Sequence, residues 1–99
     1  MNNLFSYGTI QNPKVQKEIF GHILYGVEDS LFGYSKTKIK IENKEYNIAF
    51  TGTGGRINGR VYQLSDNELE KVDLYEGNYY RRVMSKLQSG IDAWLYVRA

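Results

Sequence analysis

The sequence predicts one α+β domain with a mixed, mainly antiparallel sheet that can curl into a barrel, flanked by two short helices. Three observations carry this. The 99 residues, 41% hydrophobic and 24% charged, supply one core and too little for two. Ten glycines, one proline and nine tyrosines favour turns and aromatic-rich strands over a helical bundle. The patterns run strand, helix, several strands, helix, two strands, which is an α+β order.

Leu4 to Gly8 reads as the first strand, because Phe5 and Tyr7 alternate with Leu4 and Ser6 before glycine breaks the run. In "QNPKVQKEIFG" Asn12 suits an N-cap, Pro13 the first helical position and Gly21 the C-terminal stop. Strand patterns follow in "HILYGV", "LFGYSKTKIKIE" and "EYNIAF", with "ENKE" as a hairpin turn between the last two. Thr37, Ile39 and Ile41 alternate with Lys36, Lys38 and Lys40, and the lysines read as a solvated face that also protects an edge.

"TGTGGRING" has neither the GK[ST] ending nor the GxGxxG spacing of a phosphate loop, and no helix follows it, so it is expected to be a flexible hairpin connection. "RVYQL" reads as the strand after it. The second helix is expected over Asp66 to Tyr75, where Ser65 and Glu68 form a capping box and Leu64 and Leu69 a hydrophobic staple. "YYRRVMSKLQ" and "DAWLYV" are then two strands joined around Ser89 and Gly90.

Composition narrows the chemistry. A net charge of +2 is too small to point to nucleic acid. Without cysteine there is no disulfide and no thiolate catalysis or ligation. "MNNLFSYGTI" lacks the basic start and long apolar core of a signal peptide, and no segment approaches the roughly 18 apolar residues of a span, so a cytoplasmic protein free of membranes is expected. The one histidine, His22, sits in no nucleophile-elbow context and reads as an ordinary strand-start residue. No metal or other cofactor is expected, and carboxylate acid/base chemistry leads if the chain is an enzyme.

One carboxylate stands out. Leu69, Val72 and Glu76 are spaced i, i+3, i+7 and share a helical stripe, with Asp73 at its margin. On that stripe Glu76 faces the sheet, where burial and the helix C-terminus both raise a carboxyl pKa towards the range of a general base. Gly77 can instead end the helix early and turn Glu76 to water. The pattern leaves both placements open.

The segments "FSYGTI", "NGRVYQLSDNELEKVDLYEGNYYRRV" and "AWLYV" together resemble the gamma-glutamylcyclotransferase-like family. Its members share a Tyr-Gly-[Ser/Thr]-Leu loop after the first strand, a G-x-V-Y strand, a Leu-Asp-x-[Tyr/Phe]-Glu-Gly helix end and a Tyr-x-Arg after it. The resemblance implies a small mixed barrel with a cavity between the N-terminal loop and the helix end. It implies Glu76 as catalytic acid/base, Tyr7, Gly8, Thr9 and Ile10 as the loop holding the substrate's glutamyl part, and Tyr80 and Arg82 as the Tyr-x-Arg. Ile10 and Val72 replace the usual leucines. The loop after Ile10 lacks the Arg and Gly that often follow, which leaves substrate preference open.

The implied reaction is cyclisation of a small γ-glutamyl amine or peptide to 5-oxoproline. The substrate's own α-amine is the nucleophile, so no protein nucleophile is required. Two other readings stand beside it: a member of the same fold that binds a small amino-acid-like ligand without this chemistry, and an RNA-binding module, for which no RNP-like motif is present.

Overall fold

Strand β1 (Asn2–Ser6) leads through a 3-10 turn (Thr9–Gln11) into helix α1 (Pro13–Phe20). The long strands β2 (Gly26–Ile41) and β3 (Lys44–Leu64) follow, then helix α2 (Asp66–Glu76), a 3-10 turn (Gly77–Tyr79), β4 (Tyr80–Lys86) and β5 (Asp92–Arg98). The computed structural model describes the backbone of all 99 residues and the surroundings of every side chain except at Ile41, Phe50, Gly52 and Thr53.

Local signals set the helix ends. The Asn12 side chain accepts from Lys14 N–H, Pro13 occupies the first turn and Gly21, at φ 80, closes α1. In α2 the capping box is complete: Ser65 Oγ accepts from Glu68 N–H at 3.2 Å, and Glu68 Oε1 accepts from Ser65 N–H at 2.9 Å. Leu64 and Leu69 are both buried in one apolar cluster. The helix runs through Glu76, and Gly77, at φ 74, ends it.

The sheet order is β2-β3-β1-β5-β4, with β1 and β5 parallel and every other neighbouring pair antiparallel. It curls without closing, so the expected barrel is an open sheet. The edge strands β2 and β4 are not neighbours in the sheet; the turn after β4 reaches across, where Gln88 N–H donates to Ser30 C=O at 2.8 Å. Ser89 adds bonds from its N–H and hydroxyl to the Asp29 carboxylate.

Both faces of the sheet carry core. Phe5, Leu31, Ile57, Val61 and Leu95 fill the inside of the curl. Leu4, Tyr62 and Leu64 face outward under Ile10, Leu69 and Val72. This explains why the adjacent residues Leu4 and Phe5 of β1, which point to opposite faces, are both buried.

Three expectations change. β1 starts at Asn2 and ends at Ser6, the last residue paired with β3. "HILY" is not a strand: Leu24 N–H is taken by the Gln16 side chain at 2.8 Å, and pairing starts at Gly26. At Gly26 a Cβ would stand 2.5 Å from the Tyr62 ring, so glycine allows the close approach.

The glycine-rich segment is not a hairpin connection but lies inside β3. There the register jumps from Phe32↔Arg56 to Tyr34↔Thr51. Gly33 and Gly54 take positive φ, 82 and 75, and bend the pair at this irregularity. The true hairpin lies further out at Glu42 and Asn43, both at positive φ, within the expected ENKE turn. The bend sends the distal hairpin back over the N-terminal loop. Lys36, Lys38 and Lys40 are exposed along the β2 edge, as the alternation predicts.

Candidate functional site

A cavity of about 320 Å³ opens where three elements meet: the loop from Tyr7 to Ile10, the end of α2 with the turn after it, and the distal part of β3. That volume is at the small end for small-molecule sites.

The loop is held by buried hydrogen bonds. Gln16, 2% exposed, donates from Nε2 to Ile10 C=O at 2.9 Å, and its Oε1 accepts from Leu24 N–H. A polar side chain on the buried stripe of α1 thus anchors the loop from below. The Tyr7 hydroxyl donates to Tyr96 C=O and accepts from Ala49 N–H at 3.1 Å, joining the loop to β5 and β3. Burial pushes the Tyr7 phenol well above its ordinary range. With both roles used inside the chain, that hydroxyl shapes the loop and its ring lines the cavity.

Gly8 precedes the 3-10 turn, and a Cβ there would meet nothing within 4 Å. Packing therefore does not demand glycine at this position, which lies in the cavity lining. The first N–H groups of a helical turn have no partners within the turn, so Gly8, Thr9 and Ile10 present donors at the loop.

The last turn of α2 delivers Glu76. Leu69 and Val72 of its stripe are buried against the sheet, and Glu76, one turn further on, is partly buried and lines the cavity. Burial pushes its carboxyl pKa from the ordinary 4.5 up to about 7. Tyr7, Tyr80 and Tyr96 line the same cavity as Glu76, and burial first, then the Glu76 charge among others, raises all three phenols. Tyr80 is pushed to about 12, first by burial, and its hydroxyl donates to Asn47 C=O at 3.1 Å, fastening the distal hairpin to β4. Thr9 Oγ1 and the Tyr75 hydroxyl, 2.8 Å apart, close the gap between loop and helix.

Glu76, Tyr7, Gly8, Thr9, Ile10 and Tyr80 thus converge on one cavity. Arg82 does not line it. Its guanidinium clasps Asp73 through Nε to Oδ1 at 2.7 Å and a second nitrogen to Oδ2 at 3.0 Å, and lies 4.6 Å from the centre of the Trp94 ring. The Tyr96 hydroxyl donates to the same Asp73 carboxylate. Since Tyr96 C=O also receives the Tyr7 bond, Arg82 and Asp73 brace the last turn of α2 against β5 from behind the site. Arg81 is exposed.

Sequence reasoning misses Tyr46 and Asn47, which become walls only when the β2-β3 hairpin folds over, and no local pattern signals that. It also misses Tyr75 and Tyr79. They flank Glu76 in the sequence, and their closeness to the acid is the signal that was there to use. Among the described residues no cluster of His, Asp or Glu could hold a metal ion, and no helix is long and apolar enough to cross a membrane.

Residues 4–99 match the family described as gamma-glutamyl cyclotransferase, AIG2-like. Protein AIG2 C of Arabidopsis thaliana is 36% identical over 83 residues, covering 83% of this chain and 49% of its own length. A Methanocaldococcus jannaschii protein, provisionally named a gamma-glutamylcyclotransferase, is 32% identical over 105 residues, covering 97% of this chain and 83% of its own. Among solved structures, an Arabidopsis thaliana protein determined in solution superposes with a TM-score of 0.80 at 30% identity, over 98% of this chain and 61% of that one. A structure named gamma-glutamyl cyclotransferase shares the fold at a TM-score of 0.82 and 15% identity, over 99% of this chain and 66% of that one. The chain spans about half the length of the AIG2 relatives it matches. On the family match and these relatives together, the chain belongs to the gamma-glutamyl cyclotransferase, AIG2-like family.

Proposed function

We propose that the chain is a gamma-glutamyl cyclotransferase that releases 5-oxoproline and a free amine from a small γ-glutamyl compound, with Glu76 as general acid and base. The observation that carries this is the partly buried Glu76 carboxyl, raised to about 7 inside a cavity that faces the Tyr7 to Ile10 loop. A carboxyl near neutrality is present in both forms at working pH, which a group that takes and returns one proton requires.

In the proposed course, the substrate's α-carboxylate binds the N–H donors of Gly8 to Ile10. The carboxylate of Glu76 takes a proton from the α-ammonium, and the freed amine attacks the side-chain carbonyl carbon. The ring C–N bond forms, the bond to the departing nitrogen breaks, and Glu76 returns its proton to that nitrogen. The ring nitrogen sheds its second surplus proton, which ends on the released amine as its ammonium. Folding the substrate so that the amine meets the carbonyl supplies several kcal/mol through proximity, on the order of that measured for intramolecular reactions.

The test is 5-oxoproline release from a panel of γ-glutamyl amines and peptides by the wild type and by Glu76→Gln. The wild type is expected to form product, and the variant to lose about a hundredfold or more. Product formed equally by both removes Glu76 from the role. A γ-glutamyl compound that raises the melting temperature without ever reacting supports a binding protein instead.

A further inference from the structure

The one residue of α1 that is buried outright is a glutamine. Gln16 sits among Val15, Ile19 and Phe20, which pack on the outer core, a place where a polar group costs stability unless it is hydrogen-bonded. Both ends of its carboxamide are bonded: Nε2 donates to Ile10 C=O, and Oε1 accepts from Leu24 N–H. A carbonyl needs a donor and an N–H needs an acceptor, so a single orientation of the amide serves both bonds.

The polarity of the loop depends on that amide. Gly8 C=O accepts from Gln11 N–H at 3.2 Å, and Thr9 C=O accepts from Asn12 N–H at 2.9 Å. These two carbonyls are held by the turn itself. Among the described residues the third, Ile10 C=O, is held by a side chain of another element, and that side chain is Gln16. With the carbonyls occupied inside the chain, the N–H groups of Gly8, Thr9 and Ile10 are left to the cavity that these residues line.

We propose that Gln16 is a positioning residue for substrate binding: it holds the Ile10 peptide so that the N–H groups of Gly8 to Ile10 converge on the substrate's α-carboxylate. The proposal rests on the cyclotransferase reading and divides the site into two separately supported halves. Gln16 supports the half that binds the carboxylate, and the clasp of Arg82 on Asp73 supports the helix end that carries Glu76. The α-carboxylate is unchanged by ring closure, so its contacts are equal in the ground and transition states. Their loss raises KM and leaves kcat nearly as it was.

Gln16→Met is close in size and removes both bonds. In the full chain, KM for 5-oxoproline release should rise about tenfold, as expected for hydrogen bonds to a charged group, with kcat within about twofold of wild type. Leu87→Ala truncates a buried residue after β4 that does not line the cavity. It should lower the melting temperature without moving KM. A KM indifferent to Gln16→Met overturns the proposal, and so does a KM that Leu87→Ala raises as much.

Two further ligands need no turnover: 5-oxoproline, which keeps the carboxylate, and 2-pyrrolidinone, the same ring without it. In titrations followed by backbone amide NMR, Gln16→Met should weaken 5-oxoproline about tenfold and leave 2-pyrrolidinone as it is. Equal weakening of both overturns the proposal, as does 5-oxoproline that binds the wild type no tighter than 2-pyrrolidinone. If Gln16→Met does not fold, the wild type decides. Its Gln16 side-chain amide signals should shift with 5-oxoproline and stay in place with 2-pyrrolidinone, and signals that respond to neither, or to both alike, overturn the proposal. If no γ-glutamyl compound releases 5-oxoproline, the cyclotransferase reading fails, and the two ligands still decide the role of Gln16.

Discussion

Replacing Glu76 by glutamine should stabilise the protein as pH rises, while removing its activity. Burial lifts the carboxyl from 4.5 to about 7, so the folded chain holds this proton more tightly than the unfolded chain. The stability this contributes is fully present below 4.5, declines as pH climbs from 4.5 to about 7, and is gone above. Between about pH 5 and about pH 8 the decline integrates to about 2.5 kcal/mol, at ~1.4 kcal/mol per pH unit.

Glutamine has nearly the same shape and does not titrate. The stability difference between Glu76→Gln and the wild type should therefore move by about 2.5 kcal/mol in the variant's favour over that range, or about 10 to 20 °C in Tm for a chain of this size. Thermal melts of both proteins at about pH 5, 6.5 and 8 read it, and the paired comparison cancels every other titrating group. The matching activity result is a wild-type kcat/KM that rises with pH through about 7, because the carboxylate is the form that takes the first proton. Parallel melting curves at all three pH values would show that Glu76 is well solvated, and the reasoning from burial to base would fail with it.

Tyr7→Phe should cost about 2 to 4 kcal/mol in urea unfolding, because it leaves the buried Ala49 N–H and Tyr96 C=O without their shared partner. Arg82→Lys keeps the charge but loses the two-pronged grip on Asp73 and the stacking on Trp94, at about 1 to 2 kcal/mol for side chains 26% and 38% exposed. Its kcat for 5-oxoproline should fall more than its KM rises, since the clasp holds the helix end that carries Glu76. Gly59→Ala puts a Cβ 2.3 Å from the Ser6 carbonyl oxygen and 2.8 Å from the Phe5 ring. It should destabilise by about 3 kcal/mol or more, and an unchanged urea midpoint would contradict the close approach of β3 to β1.

What the sequence discloses and what it conceals divides along the range of the forces involved. The ends of both helices are legible because a cap is a local bargain: Asn12 with Lys14, Ser65 with Glu68, Gly21 and Gly77 with their own backbones. The stripe of Leu69, Val72 and Glu76 likewise depends only on helical period, so the direction in which Glu76 points can be read, though whether Gly77 leaves it on the helix cannot.

The glycine-rich segment misleads because glycine permits a turn and a bulge equally. Only the ladder between β2 and β3, whose register shifts between Phe32 and Tyr34 opposite a segment distant in sequence, selects the bulge. That one choice brings Tyr46 and Asn47 over the loop and so makes a cavity out of a bare helix end. Arg82 is the mirror case. The Tyr-x-Arg spacing brings it beside the site, but a strand alternates its faces, so Tyr80 and Arg82 share one. What separates them is Asp73, whose carboxylate holds the guanidinium away from the cavity that Tyr80 lines. Among the described residues the cavity is thereby left with no lysine or arginine in its lining, and the same capture that keeps the guanidinium out of it stiffens the helix end that carries Glu76.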